Sequence, residues 1–249
     1  MTSKELDGRV AIVTGAGRNI GRAIALALAD GGASVLINAR TNKAEADAVV
    51  REVEARGAKA LAYLADVGDA NVVQAMADAA FARFGRIDFL INNAALRAEG
   101  SLDTITPARW RELMAVSLDG QFYCVMSCLP HLRKSGAGAI VNLGGLSAFT
   151  GSKARVHVVT AKAGLIGMTR ALATDLADDK ITVNLVSPGL IGPRRAAGKE
   201  PQHHLTHGTL TGERGKPEDI AAMVRFLCGP SARYVTGQTI HVNGGAYMG

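Results

Sequence analysis

The sequence predicts an α/β protein built on a parallel sheet with helices on both faces. Strand-like and helix-like segments alternate almost from end to end, which implies right-handed βαβ crossovers. The β-rich runs are continuously apolar, as strands buried on both faces are. The interior is aliphatic: 48% of residues are hydrophobic, only 4% are aromatic, and there are 29 glycines. At 249 residues the chain fits one large domain, 1–249, better than two small ones. No internal repeat, linker or low-complexity segment interrupts it.

RVAIVT (9–14) reads as the first strand, and the helical pattern that follows runs from Ile20 to Ala29. ASVLIN (33–38) precedes a charged amphipathic helix over 43–56, and AKALAYL (58–64) precedes another over 69–84. IDFLIN (87–92) and AIVNL (139–143) are two further buried strands. Between them a long helix starts at Thr106, with Pro107 in the first turn, where a missing N–H does no harm. A second long helix spans Val158 to Leu176, and ITVNLV (181–186) and QTIHV (238–242) complete the strands. Residues 189–216, rich in Gly, Pro, Arg and His, have no periodicity; a loop of that length is a substrate lid or a disordered segment.

Several classes are excluded by composition. Cys124, Cys128 and Cys228 form no CxxC pair, so a disulfide scaffold is not expected and a reducing cytoplasm is the simplest compartment. No apolar run reaches the roughly 18 residues of a membrane span, and residues 1–9 hold no signal core. The net charge of +6 comes from 28 Lys and Arg scattered among 22 acids, without a basic run or interleaved aromatics, so nucleic acid is not an expected partner. His203 and His207 stand at i, i+4, but no third ligand or general-base Glu accompanies them, and no metal is expected.

Directly after the first strand stands T14-G15-A16-G17-R18-N19-I20-G21. Glycines between a strand and a helix let the backbone approach a pyrophosphate, which the helix N-terminus stabilises. Asp66-Val67 follows the third strand, N92-N93-A94-A95 ends the fourth, Lys162 lies on the second long helix, S187-P188-G189 ends the sixth strand, and Asn243-Gly244-Gly245 follows the last. This ordered set resembles the short-chain dehydrogenase/reductase family over essentially the whole chain. The resemblance implies a doubly wound, Rossmann-type domain with a seven-stranded parallel sheet, binding a nicotinamide dinucleotide at the strands' C-terminal ends in a homotetramer. By position, Gly15 and Gly21 frame the pyrophosphate turn with Ile20 beside it. Asp66 meets the adenine amino group and Val67 flanks the ring. Asn93 and Ala94 lie along the ribose, and Pro188, Gly189 and Ile191 contact the nicotinamide side. Asn19 replaces a preferred glycine, although Asn tolerates positive φ, and Ala95 replaces the glycine closing the NNAG motif.

Charge indicates which dinucleotide. An NAD site wants an acid after the second strand for the ribose 2′-hydroxyl, whereas this chain reads N38-A39-R40-T41, with Arg18 in the glycine turn. Two guanidiniums suit a 2′-phosphate, so NADP(H) is the expected cofactor.

The family's usual Asn, Ser, Tyr and Lys reduce a carbonyl, the Tyr supplying the proton one helical turn before the Lys. Here Val158 stands four before Lys162, Gly145 in the serine position and Ser117 in the Asn position, so the resemblance leaves Lys162 alone of the four. Lys162 has no acid in its surroundings ARVHVVTAKAGL (154–165), and in the family this lysine also holds the nicotinamide ribose, which would make the cofactor its partner. His157 titrates in a useful range, but five residues before Lys162 it lies about 140° round an ideal helix unless the helix begins after it. Ser147 is a further possible hydrogen-bond donor to substrate.

Two functions stay open. One is an NADP(H)-dependent oxidoreductase acting on C=N or C=C bonds rather than simple ketones; the other is a catalytically degenerate NADP-binding sensor or partner subunit. The substrate would be a small molecule, and Arg97 with Arg194, Arg195, Lys199, His203, His204 and His207 would suit an anionic one. A small-residue face of Ala161, Gly164, Gly167 and Ala171 predicts association as a homotetramer or homodimer through the long helices.

Overall fold

The computed structural model describes residues 4–192 and 208–249. The seven apolar runs become seven strands: β1 (Val10–Val13), β2 (Ser34–Ala39), β3 (Ala60–Leu64), β4 (Phe89–Asn92), β5 (Ala139–Leu143), β6 (Thr182–Pro188) and β7 (Thr239–Val242). They form one sheet in the order β3-β2-β1-β4-β5-β6-β7, and every pair is parallel. Because β2 and β3 extend from one side of β1 and β4 begins the other, the loops after β1 and β4 diverge. A crevice opens there at the carboxyl ends of the strands, where doubly wound sheets bind ligands.

The helices are α1 (Asn19–Asp30), α2 (Lys43–Glu54), α3 (Ala70–Phe84), α4 (Pro107–Met114), α5 (Gly120–Lys134), α6 (Ser147–Thr150), α7 (Val156–Asp175) and α8 (Pro217–Cys228). Strand alternation divides the core into two layers. Ala11 and Val13 of β1 face Ile24 and Leu28 of α1 and Val224 of α8, while Ile12 faces Met76 of α3 and Cys124 and Cys128 of α5. All three cysteines are buried and free.

Several helix ends follow from single side chains. The Asn42 side chain accepts from Glu45 N and that of Asp69 from Asn71 N, so Asp69 caps α3 rather than opening it. Thr106 accepts from Arg109 N, with Pro107 in the first turn as the sequence indicated. What looked like one long helix from Thr106 is α4 and α5 joined by a π-helical turn, Ala115–Asp119. Helix α7 begins at Val156, two residues earlier than its apolar periodicity suggested. Helix α8 went unread, although Pro217, acids in the first turn and Ile220, Val224 and Leu227 on one face mark it.

Ile191 pairs with Gly215 in an isolated parallel bridge, joining the two described ends of the 189–216 segment. Arg194, Arg195, Lys199, His203, His204 and His207 lie outside the described residues. Among the described residues no helix is long and apolar enough to cross a membrane, and no cluster of metal ligands forms. On α7, Ala161 is fully buried against Leu113 and Val158 and so belongs to the core, while Gly167 and Ala171 remain on the surface.

Candidate active site

The crevice is bounded on one side by the glycine turn. Gly15 has φ +62°, and a Cβ there would lie 3.0 Å from Ala94 Cα; at Gly21 it would lie 2.4 Å from the Gly15 carbonyl oxygen. Only glycine permits that approach of helix to turn. Asn19 also has positive φ, at 49°, a conformation Asn adopts at little cost. The turn is tied to two neighbouring strands. Asn93 Nδ2 donates to the carbonyls of Thr14 (2.8 Å) and Gly15 (3.0 Å), and Thr14 Oγ1 accepts from the backbone N–H groups of Asn93 and Ala94. Asn38 Oδ1 accepts from Gly15 N at 3.1 Å. Ile20 is buried behind the turn, and α1 starts with neither a side-chain cap nor an acid in its first turn. Its first N–H groups are therefore left for a ligand or solvent.

Arg18 and Arg40 stand at the rim of this side. Both side chains are exposed, and each reaches a carboxylate only at 4.0 Å: Arg18 to Glu45 and Arg40 to Asp66. Asp66 Oδ1 accepts from Gly68 N at 3.0 Å, and the adjacent Val67 is buried, with the start of α5 close against its carbonyl. The structure thus gathers Gly15, Arg18, Arg40, Asp66, Asn93 and Ala94 along one edge.

The opposite side is built from β5, β6 and α7. Lys162 is half-buried, and its Nζ donates to the Leu143 carbonyl at the end of β5 at 2.5 Å. Sequence reading missed this protein partner, because a backbone acceptor leaves no trace in residue type. Burial, followed by the charges of Arg97 and Arg155, pushes the Lys162 ammonium down to about 7. Pro188, Gly189 and Ile191 follow β6; the Pro188 carbonyl accepts from Leu146 N, and Gly189 packs so closely on Asn243 that a Cβ would meet its Cα at 2.6 Å.

Val158 is 5% exposed and packs with Leu113 and Ala161. Gly145 borders open space, with nothing within 4 Å of a Cβ placed there. Ser117 is buried in the π-helical turn, its Oγ accepting from Leu96 N at 3.1 Å. His157 lies in the first turn of α7, so the geometric objection to it as a partner of Lys162 stands; it is buried, and burial with nearby Arg109 and Arg155 lowers its pKa. Arg155, one residue before α7, is 7% exposed and was not singled out from the sequence. A charge in an apolar window was the available signal.

A glycine turn entering a helix at the switch point of a seven-stranded parallel sheet defines a doubly wound nucleotide-binding protein. Residues 15–247 match the family model described as enoyl-(acyl carrier protein) reductase, and the chain belongs to the short-chain dehydrogenase/reductase family. It is 39% identical over 240 residues to the 3-oxoacyl-(acyl-carrier-protein) reductase FabG of Staphylococcus aureus, covering 96% of this chain and 98% of that one. Two solved structures are similar at 34% identity. A short chain dehydrogenase from Burkholderia cenocepacia in complex with NADP has a TM-score of 0.90, covering 97% of this chain and 99% of its own. A blue fluorescent protein from a metagenomic library in complex with NADPH has a TM-score of 0.91, covering 98% and 100%.

Proposed function

We propose that the protein is an NADP(H)-dependent oxidoreductase with a non-standard active site, acting on C=N or activated C=C bonds rather than on simple ketones. One observation carries this. The glycine-turn side keeps the groups a dinucleotide needs, while Val158, Gly145 and Ser117 occupy the positions at which the family's proton relay stands.

The dinucleotide fits the residues present. The bare N-terminus of α1 behind Gly15, Ile20 and Gly21 suits a pyrophosphate. Arg18 and Arg40, held only by 4.0 Å ion pairs, keep their forks available for a 2′-phosphate. Asp66 and Val67 would hold the adenine, Asn93, Ala94 and Lys162 the riboses, and Pro188, Gly189 and Ile191 the nicotinamide. The NADP and NADPH complexes of the two similar structures support the same cofactor. When bound, the dihydronicotinamide supplies a hydride to an electrophilic carbon.

An iminium needs no added proton to become an amine, and a conjugated C=C takes its proton at carbon. Neither requires a tyrosine at position 158. Lys162, held by Leu143 and titrating at about 7, can yield a proton at neutral pH, and it is the one titratable group of the family relay left in the site. The family model is described as an enoyl reductase, which names C=C chemistry; the staphylococcal relative is named for a 3-oxoacyl group, a ketone, and it is the bond from which the residues at 145 and 158 set this chain apart.

The test is NADPH consumption over a panel of ketones, cyclic imines and enones. Turnover confined to imines or enones supports the reading; robust ketone reduction removes the bond preference. Tight NADPH binding with no turnover on any class leaves the sensor or partner-subunit alternative. The exposed Phe122 and Met126 of α5 and the exposed Gly167 and Ala171 of α7 support a homodimer or homotetramer, which analytical ultracentrifugation checks.

A further inference from the structure

Arg155, the residue that opens α7, stands at i with Val158 at i+3 and Lys162 at i+7, the spacing of one side of the helix, and its charge acts on Lys162. Arg155 is 7% exposed, its Nε is buried without a hydrogen-bond partner, and no carboxylate pairs with it among the described residues. Its nearest charge influences are Glu99, which favours the guanidinium, and Arg97, which opposes it. A guanidinium largely withdrawn from water, with a buried Nε left unpaired, is costly. Nothing in the core requires it: the adjoining cluster of Leu113, Val158 and Ala161 is wholly apolar.

Three further features bear on what Arg155 would receive. The positive end of α7 opens beside Arg155 with no side-chain cap and no acid in its first turn, which favours an anion. Arg97 and Arg155 both act on Lys162, and Glu99 acts on Arg155 without an ion pair to it among the described residues. Gly145 leaves open space across the crevice.

We propose that the substrate carries a carboxylate next to its reducible bond and that Arg155 receives this carboxylate, an inference that rests on the oxidoreductase reading above. A single planar fork matches the two oxygens of a carboxylate, whereas a phosphoryl group presents three and calls for a wider set of donors. With the carboxylate on Arg155, the adjacent unsaturated carbon lies over Val158, towards Lys162. The step stays that of the proposed function: one hydride from NADPH to carbon, and one proton from Lys162 or water to the neighbouring atom when the bond is C=C.

The experiment uses the full chain saturated with NADP+, so that nothing is reduced. Cinnamate, cinnamamide and styrylphosphonate are titrated in turn and followed by ligand-observed NMR. Cinnamate is expected to bind at least tenfold tighter than the amide. Arg155→Gln should erase that ratio and Arg155→Lys should keep part of it, with NADP+ affinity unchanged in both. The ratio in the parent protein decides the matter even if a variant fails to fold. Equal binding of acid and amide, binding of none of the three, or an acid preference that survives Arg155→Gln overturns the inference. Tighter binding of the phosphonate overturns the carboxylate assignment. A parent that prefers the acid but binds no NADP+ keeps the Arg155 site and removes the oxidoreductase reading. A parent that binds NADP+ but is indifferent to the acid does the reverse.

Discussion

The two walls of the crevice are made differently. On the glycine-turn wall, Thr14, Asn38 and Asn93 use side chains to hold backbone, and backbone then faces the ligand. The α7 wall is made of side chains: Lys162 on the Leu143 carbonyl, Arg155 with no ion pair among the described residues, and Val158 packed in an apolar cluster. A backbone-built wall is braced by hydrogen bonds from three strands, so one substitution disturbs all of it. A wall of side chains on one helix can be rewritten position by position. On the proposed reading, the first wall has stayed with its cofactor while the second has changed its chemistry.

Restoring the relay is the strongest way to break this contrast. Gly145→Ser combined with Val158→Tyr should raise NADPH-dependent ketone reduction by roughly a hundred- to ten-thousand-fold over the parent, the usual worth of a positioned general acid. The serine meets no steric obstacle, since nothing lies within 4 Å of its Cβ. A double variant that stays as inactive on ketones as the parent would show that the two positions were not what separated the walls.

Removing a guanidinium from the cofactor wall comes next. Arg40→Ala and Arg18→Ala should each weaken NADPH binding by about 10- to 100-fold, the value of a charge-assisted hydrogen bond, and leave NADH binding unchanged. Fluorescence titration with both cofactors measures this. Equal affinity of the parent for NADPH and NADH removes the 2′-phosphate role.

The bracing itself is exposed by Asn93→Ala, which strips donors from the Thr14 and Gly15 carbonyls. A loss of about 1–3 kcal/mol in unfolding free energy is expected, together with weaker NADPH binding. If chemical denaturation shows no change, the wall does not depend on that side chain.

The smallest effect sharpens the other side. Lys162 titrates at about 7 in the fold against an ordinary 10.5, so between these values the unfolded chain binds more protons than the folded one. Stability contributed by this site therefore rises with pH across that window, by up to about 2 kcal/mol between pH 7 and 9. Lys162→Met should abolish the rise in denaturation midpoints measured at both pH values, and should also weaken NADPH binding. A parent and variant with parallel pH profiles would place the ammonium in solvent.

The backbone-built wall was the legible one. Its glycines, Asn93 and the position of Arg40 after β2 are fixed by residue type and local order, and short continuous apolar runs located all seven strands to within two residues. The other wall was read by what it lacks. Val158, Gly145 and Ser117 could be named, but burial decided what they do: Val158 packs inward, and Gly145 leaves space. The Leu143 acceptor, and the lack of an ion pair to Arg155 among the described residues, exist only once β5 and α7 are brought together. The π-helical turn escaped because residues 115–119, AVSLD, hold no glycine or proline to mark a change of helix. Helix α8 escaped although its signals were present in the sequence.

Val158 is held by its neighbours as well as by its own chemistry. Its side chain is fixed among Leu113 and Ala161, with Leu96, Ala98, Met114 and Leu118 partly buried around them. A tyrosine placed at that position must push into this cluster, an overpacking that costs about 1–3 kcal/mol, before its hydroxyl reaches anything. With Gly145 opposite, the newcomer also arrives without a serine to complete the relay. A serine alone at 145 enters open space, whereas a tyrosine alone at 158 must displace packed neighbours, so two positions that would act together in chemistry differ sharply in what it takes to change them.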